Sequence, residues 1–411
     1  MKFAKIFTIL LLVILVSSET YAQDSIKLKK GYVQASLFYP VGTSWTKSKD
    51  KQFNFSLNLL GGYTGQIKGV EIGTLLNVNK YNMHGVQIGM VNINKGNMKG
   101  LQIGPGVNWI EGEGAGANFS GLFTYQKGRF TGFQFSWFVN INGGDFRGGM
   151  GSHLLNFVKK DMYGIQWALG PNIVGGASRG VMFSWSANIT AGYHNGIQIG
   201  TLLNYANESD GFQFGAINIG RKRAKYQVGL VNYSGDSSVV PIGLINIVKG
   251  GYNKFEIWSN ELTTFNLAVK MGGKNVYSII SAGVNPFNKN VFWSVGWGPG
   301  IHIPFSKRFY ADIDDITSIV SVNEAFSIGP KKTTITNQLR LTCGFALTPK
   351  VALFLGPTLF TLFSNNNSLE HGGIFNANGT ELAPTFRTFY GQIGEFGFAL
   401  WPGVCGGIRF F

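Results

Sequence analysis

The chain is poor in cysteine, charge, histidine and long apolar runs, and each scarcity removes a class of protein. Two cysteines among 411 residues cannot build a disulfide scaffold. Cys343 alternates with Leu339, Leu341, Phe345 and Leu347, and Cys405 with Gly403, Gly407 and Arg409, which reads as two unpaired thiols. No stretch after the first 22 residues approaches the roughly 18 apolar residues of a transmembrane helix. The five histidines form no His-x-x-x-His, and neither Gly-x-Ser-x-Gly nor Cys-x-x-Cys occurs. Ser152 and His153 are adjacent in an extended segment, so they face opposite ways and make no dyad. The expectation is therefore a protein that is not an enzyme and holds no cofactor.

Acidic residues are scarce as well. Thirty-five Lys and Arg against 20 Asp and Glu give a formal charge of +15. The cations gather between strands, as at Lys47, Lys49 and Lys51, Lys95 and Lys99, or Arg221, Lys222 and Arg223. Such turns suit solvent, or the phosphates of anionic lipid and lipopolysaccharide. Without an aromatic-basic module, nucleic acid is a poor partner. The one dense acidic cluster, Asp312, Asp314 and Asp315, lacks the glycine-bearing loop of an EF-hand. It reads as a solvated strand end, or as inward salt-bridge partners for Arg340 or Arg387, with no metal site.

What the chain has in plenty is glycine and phenylalanine, 58 and 34 residues, with only 13% charged residues. Glycine turns and aromatic, alternating strands belong to an all-β protein. Residues 1–22 read separately. Lys2 and Lys5 precede an apolar run from Ile6 to Val16, and Thr20-Tyr21-Ala22 offers a cleavage site, which is the layout of a secretory signal peptide.

A repeat organises the remainder. GVEIGTLLNVN at Gly69, GVQIGMVNIN at Gly85 and GLQIGPGVN at Gly100 are one unit, which returns at 116, 132, 148, 164, 180, 196 and 211. The step is 16 residues, occasionally 15, and shortens to 14 after 211. In Gly132–Asn142 the residues Phe133, Phe135, Trp137, Val139 and Ile141 alternate with Gln134, Ser136, Phe138 and Asn140. Successive strand side chains point to opposite faces, so each unit predicts one strand with a wholly apolar face. A strand of about ten residues is long enough to cross a bilayer when tilted.

These features predict an antiparallel up-and-down transmembrane β-barrel of roughly 20 strands, built from strand–turn repeats of about 16 residues. The expected layout is a signal peptide over 1–22 and a single barrel over 23–411. Within it, 31–270 form the repeat array and 271–411 the closing strands. A parallel β-solenoid is the competing architecture. Sixteen is a multiple of neither the hexapeptide nor the nonapeptide coil, whereas a meander needs only a strand and a hairpin turn. Segments 317–332 and 364–384 are less regular and read as long loops.

The tail LWPGVCGGIRFF ends on aromatic residues in a strand, with Val404, Ile408 and Phe410 as its apolar face. Together with the G-apolar-Q-apolar-G units, it resembles the bacterial surface-repeat outer-membrane β-barrel proteins over about Gly69–Phe411. That resemblance implies a β-barrel in the outer membrane of a Gram-negative bacterium, in contact with lipid and lipopolysaccharide. On the barrel reading, Glu71, Gln87, Gln102, Gln134, Gln166, Gln198 and Gln213 line a polar lumen from successive strands. Their glutamines would alternate between two levels, and Glu71 would pair with a neighbouring cation. The expected function is a passive, porin-like pore for small polar or anionic solutes. The alternative is a non-conducting structural or adhesin-like repeat protein, either a filled barrel or a β-solenoid.

Overall fold

The computed structural model describes residues 28–287, 291–322, 334–364, 389–393 and 396–411. The expected signal peptide, most of the two expected loops, His371 and Arg387 lie outside these residues. Apart from one 3-10 turn (Trp45–Asp50), the regular elements described are all β-strands.

Each repeat unit folds as one flattened coil with two strands. In the unit at Gly85, a first strand (Met83–Ile88) runs to a corner at Gly89 and Met90, and a second (Val91–Asn94) leads away on the opposite side. First strands pair with first strands one repeat on, and second strands with second strands, parallel and in register apart from shifts near Phe53, Thr190 and Ala206. Gly100 thus lies beside Gly85 and Gly116, and Asn108 beside Asn92. Stacking continues from Lys51–Asn58 to Val240–Val248. A short antiparallel pair, Ser36 with Gly42 and Phe38 with Val41, lies at its N-terminal end.

The repeat glycine sets the direction of stacking. Gly85, Gly100, Gly116 and Gly132 hold φ between +124° and +135°, a region that side chains rarely enter. A Cβ on Gly132 would stand 1.9 Å from the carbonyl oxygen of Gly116. Every such glycine is pressed against the glycine of the coil before it. Only parallel, in-register stacking brings them together.

The expectation of a roughly 20-stranded antiparallel barrel over 23–411 is therefore corrected to two structures, a parallel β-solenoid and a small barrel. A coil of two unequal strands and a corner uses 16 residues without being a multiple of six or nine. The ten-residue strand expected in each unit is broken at that corner. Around it, consecutive residues such as Trp137, Phe138 and Val139 all point outward.

The barrel begins at Tyr252 and is antiparallel throughout. Its eight strands are Tyr252–Ser259, Phe265–Gly272, Val276–Asn285, Phe292–Pro304, Phe309–Val322, Thr334–Thr348, Val351–Ser364 and Phe396–Phe410. The first and last close the cylinder, with Glu256 beside Arg409 and Trp258 beside Gly407. A further strand, Phe389–Ile393, extends the last as a hairpin. Short turns join the strands at one end, as between Gly272 and Val276 or Thr348 and Val351.

The last coil stacks on the outer wall of this barrel. Asn246 Nδ2 donates to Ser278 Oγ at 2.8 Å, and Trp297 Nε1 to the Gly243 carbonyl at 3.0 Å. At the short-turn end, the Lys274 amide donates to the Ser237 carbonyl at 2.6 Å.

Candidate functional site

The residues expected to line a lumen stand together, but in a different setting. Glu71, Gln87, Gln102, Gln134, Gln166, Gln198 and Gln213 are fully buried between the two strand rows of the solenoid. They occupy one row along its axis: Glu71 beside Gln87, Gln87 beside Gln102, Met182 beside Gln198, and Gln198 beside Gln213. The two alternating levels of an antiparallel barrel are absent, because parallel coils superpose equivalent positions.

Side-chain amides inside the solenoid form two ladders of opposite polarity. In the glutamine row, donors point toward the N-terminus. Gln102 Nε2 donates to Gln87 Oε1 at 2.9 Å and Gln87 Nε2 to Glu71 Oε2 at 2.8 Å. In the asparagine row they point the other way. Asn77 donates to Asn92, Asn172 to Asn188, Asn204 to Asn218 and Asn232 to Asn246, each at 2.8–3.0 Å. Buried amides need partners, and in-register stacking supplies an identical one in each neighbouring coil.

Glu71 ends the glutamine ladder. It accepts from Asn58, Asn79 and Gln87 at 2.8–3.1 Å, with the Thr64 hydroxyl at 3.5 Å. No salt bridge reaches it among the described residues, so the expected cation partner is corrected to amides and a hydroxyl. Complete burial pushes its carboxyl up to about 7, against the lowering effect of those hydrogen bonds. His194, whose Nδ1 lies 2.8 Å from Ser178 Oγ, is held down at about 4 by burial, so it stays neutral in the stack. The ladder is interrupted where Met150 and Met182 replace glutamine. Gln134, next to Met150, has no partner for either amide atom.

Each coil has two halves of opposite polarity. Around the corner the outside is mainly apolar, with Thr74, His153, Ser186 and Thr201 as its polar members. Leu154 is 55% exposed and Trp185 62%, and Met90, Leu122, Leu202 and Leu230 occupy equivalent places. Directly inside this half lie the asparagine ladder and its hydroxyl neighbours. At the other end the outside carries Lys80, Lys95, Lys99, Arg129, Lys159 and Lys160. Inside that half the core is apolar, built from Phe53, Ile67, Met83, Met98, Phe130 and Phe146. The rings of Phe130 and Phe146 stack at 5.9 Å.

The barrel carries the same reversed polarity at one level of its interior. Glu256, Lys270, Asp312, Asp314 and Arg340 are fully buried inside it, and Arg409 nearly so. Lys270 Nζ lies 2.9 Å from Glu256, 2.8 Å from Asp312 and 3.1 Å from Asp314. Arg340 bonds Glu256 at 2.5 Å and Asp314 at 2.7 Å, while Arg409 bonds Glu256 and Asp312. Three cations thus meet three anions, each touching at least two of the opposite sign. Tyr277 donates to Asp314 at 2.6 Å, and His302 Nδ1 lies 2.7 Å from Asp312.

Two apolar clusters fill the interior beyond these charges. One contains Trp258, Ile279, Ile316, Phe354 and Cys405, and the next Phe292, Val320, Phe360, Leu362 and Trp401. A cavity of about 430 Å³ indents the short-turn end, between Lys254, His302, Lys307, Arg308, Lys350 and Arg409. The outer wall is aliphatic and aromatic, with Leu267, Val295, Ile313, Leu341, Leu353 and Val404 exposed. Polar residues interrupt it in places, as where Asn337 donates to Asp315 at 2.5 Å and to Thr317 at 3.2 Å.

Of the acids singled out in the sequence, Asp314 does meet Arg340. Glu256, Lys270 and Arg409 escape a reading of the sequence: Lys270 and Arg409 are lone charges in their strands, and Glu256 has only Lys254 beside it. Their signal is parity: Lys270 alternates with Asn266 and Ala268, and Arg409 with Cys405 and Gly407. Among the described residues no group of three or more His, Cys, Asp or Glu could hold a metal ion. Searches of family models, curated proteins and solved structures found no match to the chain.

Proposed function

We propose that the protein is a non-conducting outer-membrane repeat protein in which a small, filled β-barrel anchors a β-solenoid. The observation that carries this reading is the barrel's reversed polarity. Six charges sit inside at almost zero exposure while aliphatic rows cover the outside. Water would favour the opposite arrangement, and large contiguous apolar surfaces mark lipid or protein contacts. In hydrocarbon the closed barrel leaves no strand edge unpaired. Five of its eight strands, with 13–15 residues, exceed the roughly 9–11 needed to span a bilayer, whereas Tyr252–Ser259 and Phe265–Gly272 have eight each.

The signal-peptide pattern of residues 1–22 and the resemblance to surface-repeat outer-membrane proteins agree with this location. Lipid and lipopolysaccharide are then its surroundings. The role is structural, with no catalysis and no passage of solutes. Eight-stranded barrels are narrow enough for side chains to fill, and here ion pairs and two apolar clusters do so.

The test is reconstitution of the full chain in planar bilayers and on gels. Heat-modifiable migration without conductance steps is expected. Discrete conductance would restore the pore, and recovery as a soluble monomer from culture medium would remove the membrane altogether.

A further inference from the structure

We infer that the solenoid itself is set edge-on into one leaflet of the bilayer, its apolar corner among acyl chains and its charged end at the phosphates. The inference rests on the membrane reading of the barrel and concerns a surface that reading leaves unassigned.

The first observation is the polarity of the coil. Its corner half is built like a membrane protein, apolar outside over hydrogen-bonded amides. Its other half is built like a soluble protein, charged outside over a Phe and Met core, with more Lys and Arg than acids and with pairs such as Arg129–Glu113 and Lys222–Glu208. One environment cannot suit both halves. An interface between hydrocarbon and water suits both, and it repeats at the same height in every coil because the stack is in register.

The second observation is the level at which the solenoid meets the barrel. Ser237, at the charged end of the last coil, bonds the turn between Gly272 and Val276. Gly243, next to corner residue Leu244, bonds Trp297 in the middle of the strand Phe292–Pro304. A barrel that spans the bilayer therefore holds the corner near mid-membrane and the charged end near one surface. The corner row is then continuous with the barrel's own apolar wall.

Dimensions and composition agree. From Val86 to Gly89 three extended steps cover roughly 10 Å, which fits within one leaflet. A leaflet's hydrocarbon is about 15 Å, half of the 30 Å core. Where the polarity changes, the outward positions of the second strands include Trp109, Tyr125, Tyr205 and Tyr233. Trp and Tyr favour that depth in membranes. The lysines and arginines beyond them match anionic headgroups. Barrels of this kind place short turns on the periplasmic side, so the leaflet is the inner one, made of phospholipid.

The experiment uses the full chain with Cys343→Ser, buried Cys405 being retained, in vesicles of phosphatidylethanolamine and phosphatidylglycerol. Nitroxide labels are placed at the corner (Met90→Cys, Leu154→Cys, Leu202→Cys), at the charged end (Lys95→Cys, Lys159→Cys) and on the barrel wall at mid-strand (Leu341→Cys). Relaxation by oxygen reports hydrocarbon, and relaxation by a water-soluble nickel chelate reports water. Corner labels should match the barrel-wall label, oxygen dominating, and the charged-end labels should show the inverse ratio. Corner labels open to nickel beside an oxygen-dominated wall label would overturn the leaflet placement and leave the anchored barrel standing. Nickel access at the wall label as well would show that the membrane reading itself had failed. Corner labels shielded from both reagents would mean that another copy of the chain, not lipid, covers the corner.

Discussion

Asn246 Nδ2 donates to Ser278 Oγ at 2.8 Å, so the last rung of the asparagine ladder rests on the barrel wall. The open end of a solenoid exposes unpaired amides and strand edges, which invite association with other chains. Here the barrel covers that end. Asn246→Ala would remove the donor to Ser278 and the acceptor of Asn232 Nδ2, a loss of about 1–3 kcal/mol for buried groups left unpaired. Limited proteolysis should then cut faster between Val248 and Tyr252, with barrel and solenoid fragments otherwise intact.

Gly132→Ala tests the parallel stack. The new methyl must adopt φ near +135° and stand 1.9 Å from the Gly116 carbonyl oxygen. A cost of about 2 kcal/mol or more is expected from backbone strain alone. The solenoid's melting temperature should fall sharply. An unchanged midpoint would count against close coil-to-coil contact at this glycine.

Met150→Gln should have the opposite sign. Gln134 has no hydrogen-bond partner, and Gln166 Nε2 reaches only the Met150 sulfur at 3.6 Å. A glutamine at 150 offers both neighbours an amide, worth on the order of 1 kcal/mol per bond completed. Thermal or denaturant unfolding of the variant against the natural sequence reads the gain.

Glu71 predicts a pH dependence. Its carboxyl is raised from 4.5 to about 7 in the fold, so the folded chain holds the proton more tightly than the unfolded one. Stability contributed by this group is greatest below pH 4.5, declines as pH rises to 7 and is level above. The span is on the order of 3 kcal/mol for a shift of this size. Subtracting the stability profile of Glu71→Gln from that of the natural chain should isolate the decline. A difference that is flat between pH 4.5 and 7 would argue that the carboxyl is not desolvated.

Lys270→Met leaves Glu256, Asp312 and Asp314 facing Arg340 and Arg409, one buried negative charge in excess. Breaking a buried pair from one side costs about 3–5 kcal/mol, so assembly of the heat-modifiable form should fail or melt at lower temperature. The double variant Lys270→Met with Asp312→Asn balances the charge and should recover part of the loss.

Much of this molecule is decided by local alternation. The sequence alone determines the β alternation, the period of 16 residues, the polar inner row of Gln87, Gln102 and Gln134, and the outward side of Phe133 and Phe135. Those follow from side chains pointing alternately to two faces, whatever the strand's neighbours are. The inward turn of Asp314 toward Arg340 was one of two readings that alternation allowed, the other being a solvated strand end.

Tertiary structure decided what the polar face encloses. A strand's alternation is identical beside a parallel or an antiparallel neighbour, so Gln134 could line a lumen or a packed stack. Close approach of Gly132 to Gly116, and bonding of Asn172 to Asn188, select the parallel stack, and both are contacts between residues one coil apart. The meeting of Lys270 with Asp312, 42 residues on, has no local signal at all. It exists only because eight strands close into a cylinder too narrow to leave a charge without an opposite one.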